Sequence, residues 1–136
     1  MYSPRFWIEW LDRLDRVLNS ARQDVAVLKR AVSPRGLEAI ERSKRQLSGL
    51  LNDLRLLDRD VLASTPQNGA DKLQKALDMT VTQLGRLAEI PASSAPGVLD
   101  RMLGASDSAL RDSCYEAAML LMPNRRRAWH QAARAS

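Results

Sequence analysis

The chain has 136 residues, of which 45% are apolar and 27% charged, and these ordinary globular values exclude wholesale disorder. A chain of this length can bury the core of one domain without metal ions, and its single cysteine, Cys114, excludes a disulfide within the chain. The formal net charge of +5 is concentrated at the C-terminal end, since residues 123–136 contain four arginines and no acidic residue.

The first predicted helix begins with Ser3 as N-cap and Pro4 at the first helical position, where a missing N–H costs little. No signal peptide is expected, because acidic residues interrupt the apolar residues that follow. The helix should extend to about Val32. It carries apolar residues at alternating spacings of four and three, which form one stripe that another helix must cover: Trp7, Leu11, Leu14, Leu18, Ala21, Val25, Leu28 and Val32.

The second predicted helix follows Ser33-Pro34, which ends the first helix and offers Ser33 as a new N-cap. So short a connection predicts an antiparallel αα-hairpin, with one long kinked helix as the alternative. The second helix should extend from about Leu37 to Ala63, with a stripe widened by Leu37, Leu51 and Leu56. Its seam is Ile40, Ser43, Leu47, Leu50, Leu54, Leu57 and Val61.

Two further predicted helices, with a short one between them, follow a loop at residues 64–69 that contains an Asn-Gly turn signal. The third helix spans about 70–89 on Leu73, Leu77, Thr80, Leu84 and Leu87. A Pro- and Ser-rich break then precedes a short helix over 98–103 that ends at Gly104. The fourth helix starts at Ser106 and stops at Pro123-Asn124. Its predicted stripe is Leu110, Cys114, Ala117 and Leu121.

These elements predict an all-α fold: an antiparallel bundle of about four helices, with two long N-terminal helices in a hairpin and two shorter C-terminal ones. Residues 1–122 should form one domain, and residues 123–136 a basic tail that is either flexible or a short helix. The stripe of the first helix is longer than the third and fourth helices cover. That surplus favours a homodimer or a protein partner, unless the short helix and the tail cover it.

Residues that carry catalysis are scarce, so no enzyme, catalytic residue, metal, cofactor or small-molecule substrate is expected. His130 is the only histidine, which leaves no histidine triad or histidine-rich metal site within one chain. Cys114 lies on an apolar stripe, where a buried small side chain is its ordinary role. The six glycines are scattered singly and form no phosphate-binding loop.

An N-terminal aromatic cluster, Phe6, Trp7 and Trp10, is the candidate protein-binding site, since tryptophan is favoured at interface hot spots. The alternative is that the cluster caps the core. We therefore interpret the chain as a non-enzymatic helical module, an adaptor or regulatory factor, that binds a protein partner or itself through apolar helix faces. Its expected location is the cytoplasm. No apolar run is long enough to span a bilayer, and membrane attachment through the tail is not expected because the tail lacks a sizeable apolar face.

Sequence-independent binding of DNA or RNA is the alternative function, because arginines near a helical hairpin turn and beside an aromatic residue suit phosphate contacts and base stacking. The C-terminal arginines are equally typical of a solvated chain end. The residues of this alternative are Lys29, Arg30, Arg35, Arg42, Arg45, Arg125, Arg126, Arg127 and Trp129.

Overall fold

The computed structural model describes residues 4–56, 67–90 and 96–135, and their side chains over 8–56, 71–90 and 96–120. These residues form four helices, and the predicted all-α class is confirmed. The helices are α1 (Pro4–Arg30), α2 (Pro34–Leu56), α3 (Gln67–Ala88) and α4 (Pro96–Ala135).

The helices form a four-helix bundle in which each helix packs against two neighbours. The packed pairs are α1 with α2, α2 with α3, α3 with α4, and α4 with α1. The hairpin of α1 and α2 is antiparallel, since Ser43 bonds to Asp24 while Gly36 lies against Leu28. This packing confirms the predicted hairpin and excludes a single kinked helix over these residues.

The second helix starts as the sequence predicts. The Ser33 Oγ accepts a hydrogen bond of 3.0 Å from the Gly36 N–H, and the Ser33 carbonyl accepts one of 3.0 Å from the Leu37 N–H. Pro34 occupies the first helical position, where it leaves no donor unpaired. The cap and the proline together fix the turn after α1.

The apolar stripe of α1 is buried from Leu11 to Leu28 within a single copy of the chain. Val32 lies beyond the end of α1 and is 49% exposed, so the stripe ends earlier than predicted. The side chain of Trp7 lies outside the described residues. The structure favours the alternative in which the chain itself covers α1, since the predicted short helix and tail belong to one helix, α4, which is 40 residues long and packs against α1. The prediction that part of the apolar stripe of α1 stays uncovered is therefore wrong over the described residues.

The seams of α2 and α3 are confirmed wherever their side chains are described. In α2, Leu56 is 77% exposed and does not widen the stripe, while the predicted end of this helix and of its seam lies outside the described residues. In α3, Asn68 and Gly69 are helical, so the predicted turn there is wrong. The confirmed buried positions are Ile40, Ser43, Leu47, Leu50 and Leu54 in α2, and Leu73, Leu77, Thr80, Leu84 and Leu87 in α3.

The fourth helix is continuous from Pro96 to Ala135, which corrects three predictions. Gly104 does not end a short helix, Pro123 does not stop the last one, and the C-terminal member of the bundle is its longest helix. A glycine inside a helix costs about 1 kcal/mol. Burying a leucine gains about 1.5–3 kcal/mol, and both Leu103 and Leu110, on either side of Gly104, are buried. The proposed boundary between domain and tail thus falls inside α4.

The core face of α4 confirms Leu110 and Ala117 of the predicted stripe and differs from it elsewhere, while the side chain of Leu121 lies outside the described residues. The core face includes two fully buried serines, Ser106 and Ser113, while Cys114 lies at its edge and is half-buried. Ser113 bonds to Thr80 of α3 across the core at 2.7 Å. The Ser106 Oγ has no hydrogen-bond partner among the described residues. The buried positions of this face are Leu103, Ser106, Ala109, Leu110, Ser113, Ala117 and Leu120.

Candidate protein-binding surface

Neither a cluster of metal ligands nor a membrane-spanning helix is found among the described residues. Over these ranges no group of three or more His, Cys, Asp and Glu side chains is placed to hold a metal ion. Within the same ranges, none of the helices combines the length and the apolar character that crossing a membrane requires.

The candidate aromatic anchors do not form a described surface. Trp10 is 4% exposed and packs in the core with Leu11 and Leu14. The side chains of Phe6 and Trp7 lie outside the described residues. In the isolated chain, Trp10 is part of the core, as the alternative interpretation of the cluster has it.

The basic residues near the hairpin turn are partly neutralised by neighbouring acids. The Lys29 ammonium lies 3.3 Å from the Asp107 carboxylate, and the Arg45 guanidinium lies 3.2 Å from that of Glu41. The remaining three are exposed and form no ion pair with any described residue. These are Arg30, Arg35 and Arg42.

A shallow groove beside the turn has both signs of charge. It has a volume of about 530 Å³, and its walls include Arg35, Arg42, Asp24 and Glu38. Basic and acidic residues are also nearly equal in number over all the described side chains. This part of the surface therefore gives no coherent attraction for phosphate.

The second group of basic residues lies far from the first along the bundle. The helix α4 places Arg126 nineteen residues beyond Asp107, the partner of Lys29, and so about 28 Å away at 1.5 Å per residue. The side chains of Arg125, Arg126, Arg127 and Trp129 lie outside the described residues. The α4 backbone thus separates the positions of the two groups along the bundle.

The side of α4 that faces away from the core carries the most distinctive exposed pair. Tyr115 is 63% and Met119 57% exposed, and the two lie one helical turn apart. Around them this side is built from small and oppositely charged residues. We define the α4 outer face as the exposed residues Arg101, Gly104, Ala105, Ser108, Arg111, Asp112, Tyr115, Ala118 and Met119.

Other exposed large apolar side chains in the described residues are dispersed. They lie near the hairpin turn, at the end of α2, on α3 and at the start of α4. Sequence reasoning missed Tyr115 and Met119 because it followed the core stripe of each helix. Their spacing of four residues, off that stripe, is the signal that was available. The dispersed residues are Val27, Val32, Leu56, Met79 and Val98.

Contacts with α1 hold this face in position. The Asp107 carboxylate forms ion pairs with both Lys29 of α1 and Arg111 of α4, each with an N···O distance of 3.3 Å. One helical turn beyond Arg111, burial raises the pKa of the Cys114 thiol, while a hydrogen bond and the positive charge of Arg22 act in the opposite direction. Cys114 therefore reports directly on the packing between α1 and α4.

The raised thiol pKa predicts a pH dependence of alkylation. Native Cys114 should react with iodoacetamide at a higher pH midpoint than the same thiol in urea, because the thiolate is the nucleophile. Since the pKa is higher in the folded than in the unfolded state, stability present below the unfolded-state pKa should decline as the pH rises towards the folded-state pKa. Mass spectrometry of the singly alkylated chain measures the rate.

Two variants control this measurement. Arg22→Gln removes the opposing charge and should raise the native midpoint further. Cys114→Ala should give no adduct and should flatten the alkaline decline in stability. Equal midpoints for folded and unfolded chains would contradict burial of the thiol between α1 and α4.

Comparisons of the chain with protein-family models, with curated proteins and with solved structures find no match.

Proposed function

We propose that the chain is a non-enzymatic helical module that binds a protein partner through the α4 outer face. The observation that carries this proposal is the exposure of Tyr115 and Met119 side by side on one helix. Tyrosine and methionine are enriched at protein interfaces. Removing such a pair from water into the interface with a partner is favourable and lowers the free energy of the complex.

The packing of α4 against the core favours binding at Tyr115 and Met119. Leu110 and Ala117, on the opposite side of the same helix, are buried in the core, so the backbone that presents Tyr115 is already ordered. A preformed helix loses little conformational entropy on association. Small neighbours such as Ala118 and Ser108 leave room for a partner helix to approach closely.

The proposal moves the binding site away from the N-terminal aromatic cluster. Trp10 already fills a position in the core, so it is not an anchor in this conformation. Nucleic-acid binding stays a prediction that depends on the arginines at 125–127. No described contact favours it over a protein partner.

A photocrosslinking experiment tests the proposed surface. A benzophenone amino acid placed at Ser108, which is exposed within the α4 outer face, should give a discrete protein adduct on irradiation in a lysate of the source organism. Adding Met119→Asp should abolish the adduct, because a carboxylate would be buried unpaired in the interface. Gel electrophoresis and peptide mass spectrometry identify the adduct and its crosslinked residue.

A charge change outside the face provides the control. Arg86→Glu, at an exposed position on α3, should leave the Ser108 adduct unchanged. The proposal fails if Ser108 gives no protein adduct, or if the adduct persists in the Met119→Asp variant. Circular dichroism confirms that each variant remains helical.

A further inference from the structure

We infer that the occupant of the α4 outer face is a second copy of this chain, with the two α4 helices antiparallel about a two-fold axis between Arg111 and Asp112. The inference rests on the proposed function and names its partner. It is drawn from the order of side-chain sizes and charges along the face. Both are needed, because neither alone selects a partner.

Side-chain size changes systematically along the face. Its N-terminal half contains Gly104, Ala105 and Ser108, and its C-terminal half contains Tyr115 and Met119, all of them exposed. The space beside Gly104 is open, since no heavy atom other than those of its chain neighbours and the adjacent helix backbone lies within 4 Å of the position that its Cβ would take. One half therefore offers depressions and the other offers projections.

Only an antiparallel arrangement of two such faces places projections opposite depressions. With the axis between Arg111 and Asp112, Met119 of one copy lies opposite Gly104 of the other, and Tyr115 lies opposite Ser108. Ala105 lies opposite Ala118. A parallel arrangement would place Tyr115 against Tyr115. That bulky contact would hold the two small halves too far apart to pack against each other. Close packing favours large residues against small ones, and a two-fold axis satisfies both halves at once.

The charges at the axis agree with the same register. Arg111 of each copy lies opposite Asp112 of the other, which gives two ion pairs, each between a positive and a negative side chain. Arg111 is 68% exposed while its Nη2 lies 3.3 Å from Asp107, so its remaining N–H groups are free to reach a second carboxylate. No ion pair holds Asp112 within the described part of the chain.

Charge reversals test this register in purified protein. Sedimentation velocity over a concentration series should show a monomer–dimer equilibrium for the wild type. Arg111→Asp places two like-charged pairs at the axis, and so does Asp112→Arg. Each variant alone should therefore raise the dimer dissociation constant by about tenfold or more.

Mixing the two variants is the decisive measurement. In a heterodimer of Arg111→Asp with Asp112→Arg, each pair at the axis again joins a positive and a negative side chain. An equimolar mixture should therefore dimerise as the wild type does. Arg86→Glu, outside the face, should dimerise normally. Asp112→Arg leaves the contacts between Lys29, Arg111 and Asp107 intact, which separates an effect at the axis from an effect on α1.

The possible failures separate the two proposals. A wild-type chain that stays monomeric at every concentration overturns the second copy as partner, and so does a mixture that fails to recover dimers. If the Ser108 probe still gives an adduct of a different protein, the proposed function stands without this inference. If the probe gives no adduct with any protein, both proposals fail.

Discussion

Replacing Trp10 with alanine is expected to lower the free energy of unfolding by about 3–5 kcal/mol, the usual cost of removing a large aromatic side chain from a packed core. Trp10 is 4% exposed and belongs to the same cluster as Leu11 and Leu14. The loss combines transfer of the indole to water with the cavity left among its neighbours. Urea denaturation followed by circular dichroism measures the change.

An exposed apolar residue provides the comparison for Trp10. Met79 on α3 is 54% exposed, so Met79→Ala should change stability by no more than about 0.5 kcal/mol. A Trp10→Ala variant as stable as Met79→Ala would show that the indole is outside the core in solution. The N-terminal cluster would then return as the candidate anchor.

Replacing Thr80 with valine should destabilise the bundle by about 1–3 kcal/mol, the cost of leaving buried polar groups unpaired. Valine keeps the shape of threonine but removes the hydroxyl. That hydroxyl lies 2.7 Å from the Ser113 Oγ, 2.8 Å from the Ala76 carbonyl and 2.9 Å from the Ala109 carbonyl. Thermal and urea unfolding measure the loss.

A double-mutant cycle isolates the pair. Ser113→Ala alone should cost less than Thr80→Val, because Thr80 still donates to a carbonyl. The double variant should be more stable than the sum of the single losses predicts, since residues in one hydrogen-bonded network are not additive. Strict additivity would show that the two hydroxyls do not interact across α3 and α4.

The sequence predicts the helices well where a single apolar stripe decides them. The spacing from Leu11 to Leu28 identifies buried positions without error, because each of these side chains is apolar and on one face of α1. The α4 core face is harder to predict, because Ser106 and Ser113 are buried there although their residue type favours the surface. Their burial depends on what α3 places opposite them.

Local sequence preference misleads most where residues that usually end a helix lie inside one. Gly104 and Pro123 are ordinary signals for the end of a helix, yet α4 continues through both. For Gly104, the buried Leu103 and Leu110 explain why tertiary packing exceeds the local cost. The candidate site was missed for a related reason: Tyr115 and Met119 are informative only once the opposite side of α4 is known to be buried.

Because each helix packs against two neighbours, the contacts of the bundle differ in the loop-closure entropy that forming them costs. The contact between Leu28 and Gly36 closes a loop of only a few residues, whereas that between Lys29 and Asp107 closes most of the chain. Loop-closure entropy grows with the logarithm of loop length, so the second contact costs about 2 kcal/mol more to close. The hairpin is the local half of the fold, and the packing of the first helix against the last is the long-range contact that costs the most chain entropy to form.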